Sequence, residues 1–305
     1  MKMYDIIVIG GGPAGYTAAL YASRAGLDTL VIERMSIGGQ MALTDVIDNY
    51  PGFDEGVDGF TLGMKMQAGA ERFGAETLYA SVTSVSLAEE PKKVVTDAGE
   101  YLAKTVVIST GANPRELGIE GEGNLVGKGL HYCAHCDGRF YKCKTVAVVG
   151  GGNSAVGDAL YLSHLAKKVY LIHRRDSLSA TKIYREPLMA AENVEFLWNR
   201  GVLDYVVDGR LRGVILENRI SGEKEELEVD GLFVSVGRNP ATEIFTELLK
   251  DQNGYIVADE STKTNIDGVF AVGDVRTKVL RQVVTAVGDG AVAAHFAEEY
   301  ISLRN

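Results

Sequence analysis

Cysteine is scarce in this chain: three residues in 305, all between positions 133 and 143. Three cysteines cannot build the disulfide framework that holds a small secreted domain together. Positive charge is short as well, with 31 Lys and Arg against 41 Asp and Glu and a formal net charge of −10. No basic tract longer than a few residues interrupts that balance, which argues against a nucleic-acid partner. No apolar run approaches the ~18 residues that a membrane-spanning helix needs. The N-terminus runs directly into "YDIIVIGGG", without the charged, apolar and cleavage regions of a secretory signal. These absences predict a soluble, cytoplasmic protein with no membrane partner, in which a Cys-x-x-Cys pair is reactive rather than structural.

What is present is ordinary globular composition, 46% hydrophobic and 24% charged, over a length that allows two domains with cores of their own. Glycine is abundant, with 36 residues and several tight clusters. The first cluster has a specific context. Residues 5–9, "DIIVI", are a short β-rich run, and Gly10-Gly11-Gly12-Pro13-Ala14-Gly15 follows at once. A helical stretch then closes at Gly26, and "DTLVIE" ends at Glu33. Strand, glycine loop, helix, strand and terminal acid together form a dinucleotide fingerprint. Gly10 makes the tight turn, and Gly12 lets backbone N–H groups approach a pyrophosphate. Gly15 lets the helix pack on the strand, and the helix N-terminus faces the anion. Glu33 is placed to accept hydrogen bonds from ribose hydroxyls.

The pattern recurs. "KTVAVV" leads into Gly150-Gly151-Gly152-Asn153-Ser154-Ala155, then a helical stretch, then "KKVYLIHRR". The interval from first glycine to strand tip is 23 residues in both cases (10 to 33, and 150 to 173). The tips differ. Where the first has an acid, the second has His173, Arg174 and Arg175. A carboxylate repels a 2′-phosphate, whereas arginines fork around one. The second opening is therefore expected to take NADPH, and the first a dinucleotide with free ribose hydroxyls. Near the C-terminus, "TKTNIDGVFAVGDV" (262–275) reads as a strand ending in Gly273-Asp274 ahead of a helical stretch. That arrangement can set a carboxylate and a helix N-terminus beside a ribityl-phosphate chain. The first module thus draws on residues far along the chain, and the second is expected to be inserted in it.

Between the two openings lies "GLHYCAHCDGRFYKC", residues 129–143. On its own, the stretch leaves Cys133 and Cys136 as a metal knuckle, a structural staple, or a pair cycling between dithiol and disulfide. With Cys143 and His131 they could ligate zinc, but no second Cys-x-x-Cys or clear His pair accompanies them. As a cycling pair they would be a two-electron sink. Asp137, directly after the pair, can supply the proton that a leaving thiolate requires. Cys143, at the edge of "KTVAVV", reads as a small packed residue.

Taken in order, "GGGPAG" (10–15), "GGQ" (38–40), "STGA" (109–112), "CAHCDG" (133–138), "GGGNSA" (150–155), "HRRD" (173–176), "GDV" and "RQVV" (273–284) resemble the low-molecular-weight thioredoxin reductases. The resemblance runs from residue 5 to about 300. It implies an α/β fold of two Rossmann-like dinucleotide-binding domains. The FAD domain would be residues 1–113 and 244–305, with the NADPH domain, residues 114–243, inserted in it and carrying the redox pair. Carried over by position, it implies FAD contacts at Gly12, Pro13, Ala14, Glu33, Arg34, Gly39, Gln40, Asn49, Gly111, Asp274, Arg281, Gln282 and Val283. For NADPH it implies Gly152, Asn153, Ser154, Arg174 and Arg175. It further implies a homodimer passing electrons from NADPH through FAD and the Cys133–Cys136 disulfide to oxidised thioredoxin or a thioredoxin-like protein. Cys133 would attack the partner and Cys136 would face the flavin. The inserted domain would rotate about crossings near 111–114 and 237–240.

Three positions depart from the family pattern: Ser179 stands where a third arginine is usual, Gly157 where an acid is commoner, and His135 where Thr or Val is usual. The first motivates an alternative, a ferredoxin-dependent flavin thioredoxin reductase of the same fold. The third can alter the thiol pKa values. A flavoprotein component of an alkyl hydroperoxide reductase system is a further alternative, but such proteins usually carry an appended thioredoxin-like region. The start of "YDIIVIG" at residue 4 is expected to leave no room for one. A flavin- or nucleotide-binding sensor would leave "CAHCD" idle.

Overall fold

Residues 2–34, 37–44 and 46–304 are described by the computed structural model. The chain divides into two units, Met1–Asn113 with Asn239–Asn305, and Pro114–Arg238. In the first, β1 (Met3–Ile9), α1 (Pro13–Arg24), β2 (Thr29–Glu33), α2 (Gly59–Glu71) and β3 (Glu76–Tyr79) alternate, and a meander of β4 (Val82–Ser86), β5 (Lys92–Thr96) and β6 (Gly99–Ile108) follows. The sheet order is β3-β2-β1-β6-β5-β4. β3, β2, β1 and β6 run parallel, and β5 and β4 antiparallel. β6 serves two neighbours on one edge. Its residues 99–103 pair with β5, and its residues 106–108 pair parallel with Val269–Ala271 from near the C-terminus.

The apolar run of β1 is continuous because both faces of a parallel sheet are covered. Ile6 and Val8 join Val31, Val107 and the alanines of α1 in one cluster, while Ile7 and Ile9 join Leu30, Ile32, Val106, Phe245 and Ile256 in the other. A short strand, β7 (Ala112–Pro114), leads out of this unit.

The second unit opens with α3 (Glu122–Leu125), β8 (Leu130–His131) and α4 (Ala134–Asp137). It continues through β9 (Thr145–Val149), α5 (Asn153–Ser163), β10 (Lys168–His173), α6 (Lys182–Met189) and β11 (Val194–Trp198). An antiparallel meander of β12 (Arg200–Asp208), β13 (Arg210–Asn218) and β14 (Lys224–Glu228) precedes β15 (Gly231–Val234). The parallel sheet has the order β11-β10-β9-β15-β8. β9, β10, β11 and β15 here hold the places of β1, β2, β3 and β6 in the first sheet.

The chain returns through β16 (Arg238–Pro240), which pairs with β7. The return falls between Arg238 and Asn239, five residues before the expected boundary at 244. Residues 239–243 belong with the first unit because they are bonded to it. The Ala241 N–H donates to the Gly111 carbonyl at 3.0 Å, and Thr110 Oγ1 donates to the Ala241 carbonyl at 2.7 Å. The first unit is completed by β17 (Val269–Ala271), the strand beside β6, and by α7 (Val283–Ser302). α7 lies on α1 through small residues, and a Cβ at Gly290 would overlap the Ala14 carbonyl oxygen. Among the described residues no helix is long and apolar enough to cross a membrane.

Candidate redox and dinucleotide sites

The redox stretch lies at the carboxyl end of β8, on the edge of the parallel sheet where ligands gather in open α/β folds. β8 lasts two residues before the chain turns into α4, and that turn brings Cys133 and Cys136 together as a disulfide. Cys133 Sγ also accepts a hydrogen bond from the Cys136 N–H at 3.2 Å. Asp137 is half-buried, with Oδ2 3.1 Å from His131 Nδ1. His131 Nε2 lies 2.7 Å from the Tyr141 hydroxyl, and its ring stacks on Phe233. Burial pushes the Tyr141 phenol up to about 12, so it remains a neutral hydroxyl. With that hydroxyl donating to Nε2, the imidazole carries its proton on Nδ1 and donates it to Asp137. The sequence marks Asp137 but considers His131 only as a zinc ligand. The signal it offers is a polar residue at the end of a buried strand, six positions before the acid.

His135 is exposed, its ring 4.2 Å from that of Tyr161 on α5. Cys143 corrects an expectation. It is exposed and free, at φ 60 in the turn before β9, because the strand begins only at Thr145. Among the described residues no group of three or more His, Cys, Asp and Glu could hold a metal ion.

The second unit's glycine loop runs from β9 into α5. Gly150 has φ 149, and a Cβ on it would meet the Ala155 side chain, which is fully buried. Ala155 therefore braces the turn from beneath. Gly152 is the N-cap of α5, with Asn153 and Ser154 exposed at its first turn. His173 is buried, and its ring occupies the space a Gly151 side chain would need. Burial first, and then the charges of Arg175 and Arg174, hold its imidazole below the ordinary value. Arg174 and Arg175 stand exposed beyond it. Ser179 is tied to the glycine loop: its N–H and Oγ donate to the Gly151 carbonyl at 2.9 and 3.1 Å. Asn153 Oδ1 accepts the Thr181 N–H at 2.8 Å.

In the first unit a Cβ on Gly15 would overlap the Gly10 carbonyl, which explains why the helix can sit so close to the strand. Gly10 itself has φ 107, with the Ser109 carbonyl directly opposite. Pro13 opens α1 after Gly12, its N-cap. Glu33 Oε2 accepts the Gly11 N–H at 2.6 Å, so the strand tip is tied to the loop; Arg34 beyond it is exposed. Distant segments converge here. Gly39 borders Gly12, and Gly273 borders Ala14. Gln40 Nε2 donates to Asn113 Oδ1 at 3.2 Å, and Asn49 Nδ2 to Gln282 Oε1 at 3.0 Å. Arg281 Nε donates to the Asp274 carbonyl at 3.4 Å, while Gln282 and Val283 open α7. Gly111, at φ 70, has open space beside it.

A model of the pyridine nucleotide-disulphide oxidoreductases matches residues 4–290. The chain belongs to that family. Thioredoxin reductase of Listeria monocytogenes is 48% identical over 302 residues, covering 98% of this chain and 94% of the relative. That of Bacillus subtilis is 44% identical, with 98% and 95% covered. The crystal structure of thioredoxin reductase from Streptococcus pyogenes superposes with a TM-score of 0.89 at 43% identity, over 99% of each chain.

The family uses FAD and NADPH, and both glycine loops fit a nucleotide pyrophosphate. A Cβ at Gly12 would meet no atom within 4 Å, and one at Gly152 only Ser179 Oγ at 3.9 Å. Each N-cap therefore faces a cradle that a side chain would fill. His173 Nε2, buried without a hydrogen-bond partner among the described residues, lines the glycine loop in the second unit.

Proposed function

We propose that this chain is an NADPH-dependent thioredoxin reductase of the pyridine nucleotide-disulphide oxidoreductase family, acting on oxidised thioredoxin or a thioredoxin-like protein. The observation that carries the reading is the closed Cys133–Cys136 disulfide on the same sheet edge as a dinucleotide loop, beside a hydrogen-bonded acid. FAD would be held by Gly10, Gly12–Ala14, Glu33, Arg34, Gly39, Gln40, Asn49, Gly111, Gly273, Asp274 and Arg281–Val283. NADPH would be held by Gly150, Gly152–Ala155, His173, Arg174 and Arg175. When bound, NADPH and FAD supply the hydride source and the two-electron carrier between it and the protein's sulfurs.

The remaining chemistry belongs to the chain. Two electrons break the Cys133–Cys136 bond and leave both sulfurs as thiolates. Asp137, oriented by His131, passes a proton to one of them, Cys136, and Cys133 stays a thiolate. Cys133 then attacks the partner's disulfide, forming a mixed disulfide and releasing one partner sulfur, which takes up the proton that Cys136 gives back through Asp137. Cys136, now a thiolate, attacks Cys133 Sγ, restores the ring and releases the partner's other sulfur, and a proton from solvent leaves thioredoxin as a dithiol. The reading includes a homodimer in the cytoplasm. The exposed apolar side chains Leu43, Phe60 and Met64, on neighbouring segments of the first unit, support its dimeric part.

The test is anaerobic reduction of the purified protein by NADPH and by NADH, followed at the flavin absorbance band, and then addition of oxidised thioredoxin. Rapid bleaching by NADPH and reoxidation by thioredoxin are expected. No bleaching by either nucleotide would sink the reading.

A further inference from the structure

One carboxylate inside the first unit carries more bonds than the redox chemistry asks of it. Asp289 sits two turns into α7 and is buried. Its Oδ2 accepts the Gly273 N–H at 2.8 Å, Arg276 Nε at 2.9 Å and Lys278 Nζ at 2.7 Å, and its Oδ1 accepts Arg276 Nη2 at 2.9 Å. Both cations are buried with it, at 2% and 6% side-chain exposure. Two buried cations on one carboxylate are stable only while every partner is present. Removing the carboxylate leaves Lys278 without its counter-charge and Arg276 with only the exposed Glu260, 3.6 Å from Nη2.

The bonds continue outward. Arg276 Nη1 donates to the carbonyls of Ala258 and Thr277, at 3.2 and 2.9 Å. Lys278 Nζ also reaches the Thr285 carbonyl in the first turn of α7, at 3.2 Å. The turn so fixed runs from Gly273 to Lys278. Its carbonyls at Asp274 and Arg276 hold the Arg281 guanidinium, at 3.4 and 3.2 Å, and that guanidinium lies 4.0 Å from the Tyr255 ring. At its other end the turn abuts the first residues of α1, where a Cβ on Gly273 would stand 3.1 Å from the Ala14 Cβ. Asp289 is hydrogen-bonded to one of the residues read as flavin contacts through a backbone group, the Gly273 N–H. It fixes the geometry of Gly273, Asp274 and Arg281 together.

We infer that Asp289, with Arg276 and Lys278, is a positioning cluster that sets the Gly273–Arg281 segment against the α1 loop and so determines how tightly this chain holds FAD. The inference rests on the reading of the first unit as the flavin site. Unlike a brace that only adds stability, the cluster governs the shape of a ligand-holding turn, so its loss should weaken flavin binding more than it weakens the apoprotein.

Apoprotein of the wild type, Asp289→Asn, Lys278→Met and the double variant would be titrated with FAD by flavin fluorescence, and the thermal midpoint of each apoprotein measured. Asp289→Asn should raise the FAD dissociation constant by about tenfold to a hundredfold, the range expected when hydrogen bonds to a charged group are lost. Lys278→Met should raise it less, and the double variant should be no worse than Asp289→Asn alone, since it removes one stranded cation. Should Asp289→Asn fail to fold, a weakened affinity in Lys278→Met at an unchanged apoprotein midpoint carries the same support. An unchanged dissociation constant with a lowered midpoint in these variants would overturn the inference and leave the flavin reading standing. A wild type that does not bind FAD would overturn both.

Discussion

In the proposed cycle Asp137 handles the proton and His131, 3.1 Å from its carboxylate, orients it. Replacing Asp137 by Asn keeps the size and removes the acid, so the disulfide step should slow by about 10²–10⁴-fold, the usual worth of a general acid. Bleaching of the flavin by NADPH should be unaffected, and stopped-flow traces separate the two events. A second buried acid gives a pH-dependent outcome. Asp158 on α5 is bonded by Ser235 Oγ, and burial raises its carboxyl above the ordinary value, while Ser235, His135 and Arg238 pull the other way. A carboxyl raised in the folded state stabilises the fold while protonated, and that advantage is lost as pH rises through its titration. Asp158→Asn should therefore raise the denaturation midpoint at neutral pH, and the gain should vanish as pH falls below the carboxyl's titration. A gain of equal size at every pH would count against this account. The Cys133–Cys136 pair was legible in the sequence because few residue types can form a two-electron redox pair, and Asp137 stands beside it in the same short motif. The partnership with His131 was not, because residues six apart meet only when a strand of two residues turns at once into a helix. Cys143 was misread for a related reason: the apolar run beside it suggests packing, but the left-handed turn that precedes the strand points it outward.

At the scale of elements, the segment from β10 to α6 shows what replaces the missing third arginine. Ser179 is short enough to bond the Gly151 carbonyl with both its N–H and its hydroxyl, so the segment closes down on the glycine loop instead of reaching outward. Arg174 and Arg175 remain as the exposed cations at the strand tip. Ser179→Arg keeps the backbone bond and adds a guanidinium. It should increase the preference for NADPH over NADH, in kcat/KM, by about tenfold, the scale of one charge-assisted contact with a phosphate. An equal gain with NADH would show that the added charge does not read the 2′-phosphate. The two strand–loop–helix openings were legible because glycine spacing and strand composition agree over each whole unit. The end of the insertion was legible only to within a few residues. Its position depends on two hydrogen bonds between Gly111, Thr110 and Ala241, which leave no trace in composition.

For the molecule as a whole, each crossing between the units, after Asn113 and after Arg238, lies within two residues of a glycine at positive φ, Gly111 at 70 and Gly237 at 116. If turnover requires the crossings to change conformation, Gly237→Ala, at a position outside the proposed cofactor contacts, should lower kcat with thioredoxin while leaving FAD affinity within about twofold. Equal losses in kcat and in FAD affinity would argue against a hinge at this glycine.

The order of strands carries a consequence of a different kind. Gly150 follows Gly10 by 140 positions (10 to 150), and Gly273, just past β17, follows Cys133, just past β8, by the same interval (133 to 273). Along the chain, then, the order is a plain tandem repeat in which each copy ends with its fifth sheet strand. In space the fifth strands have traded places: β8, which closes the first copy, completes the second sheet, and β17 completes the first. The exchange of that one strand is what places the second unit inside the first and gives two crossings. The corner after β17 is a Gly-Asp turn, and the equivalent corner after β8 is the redox disulfide.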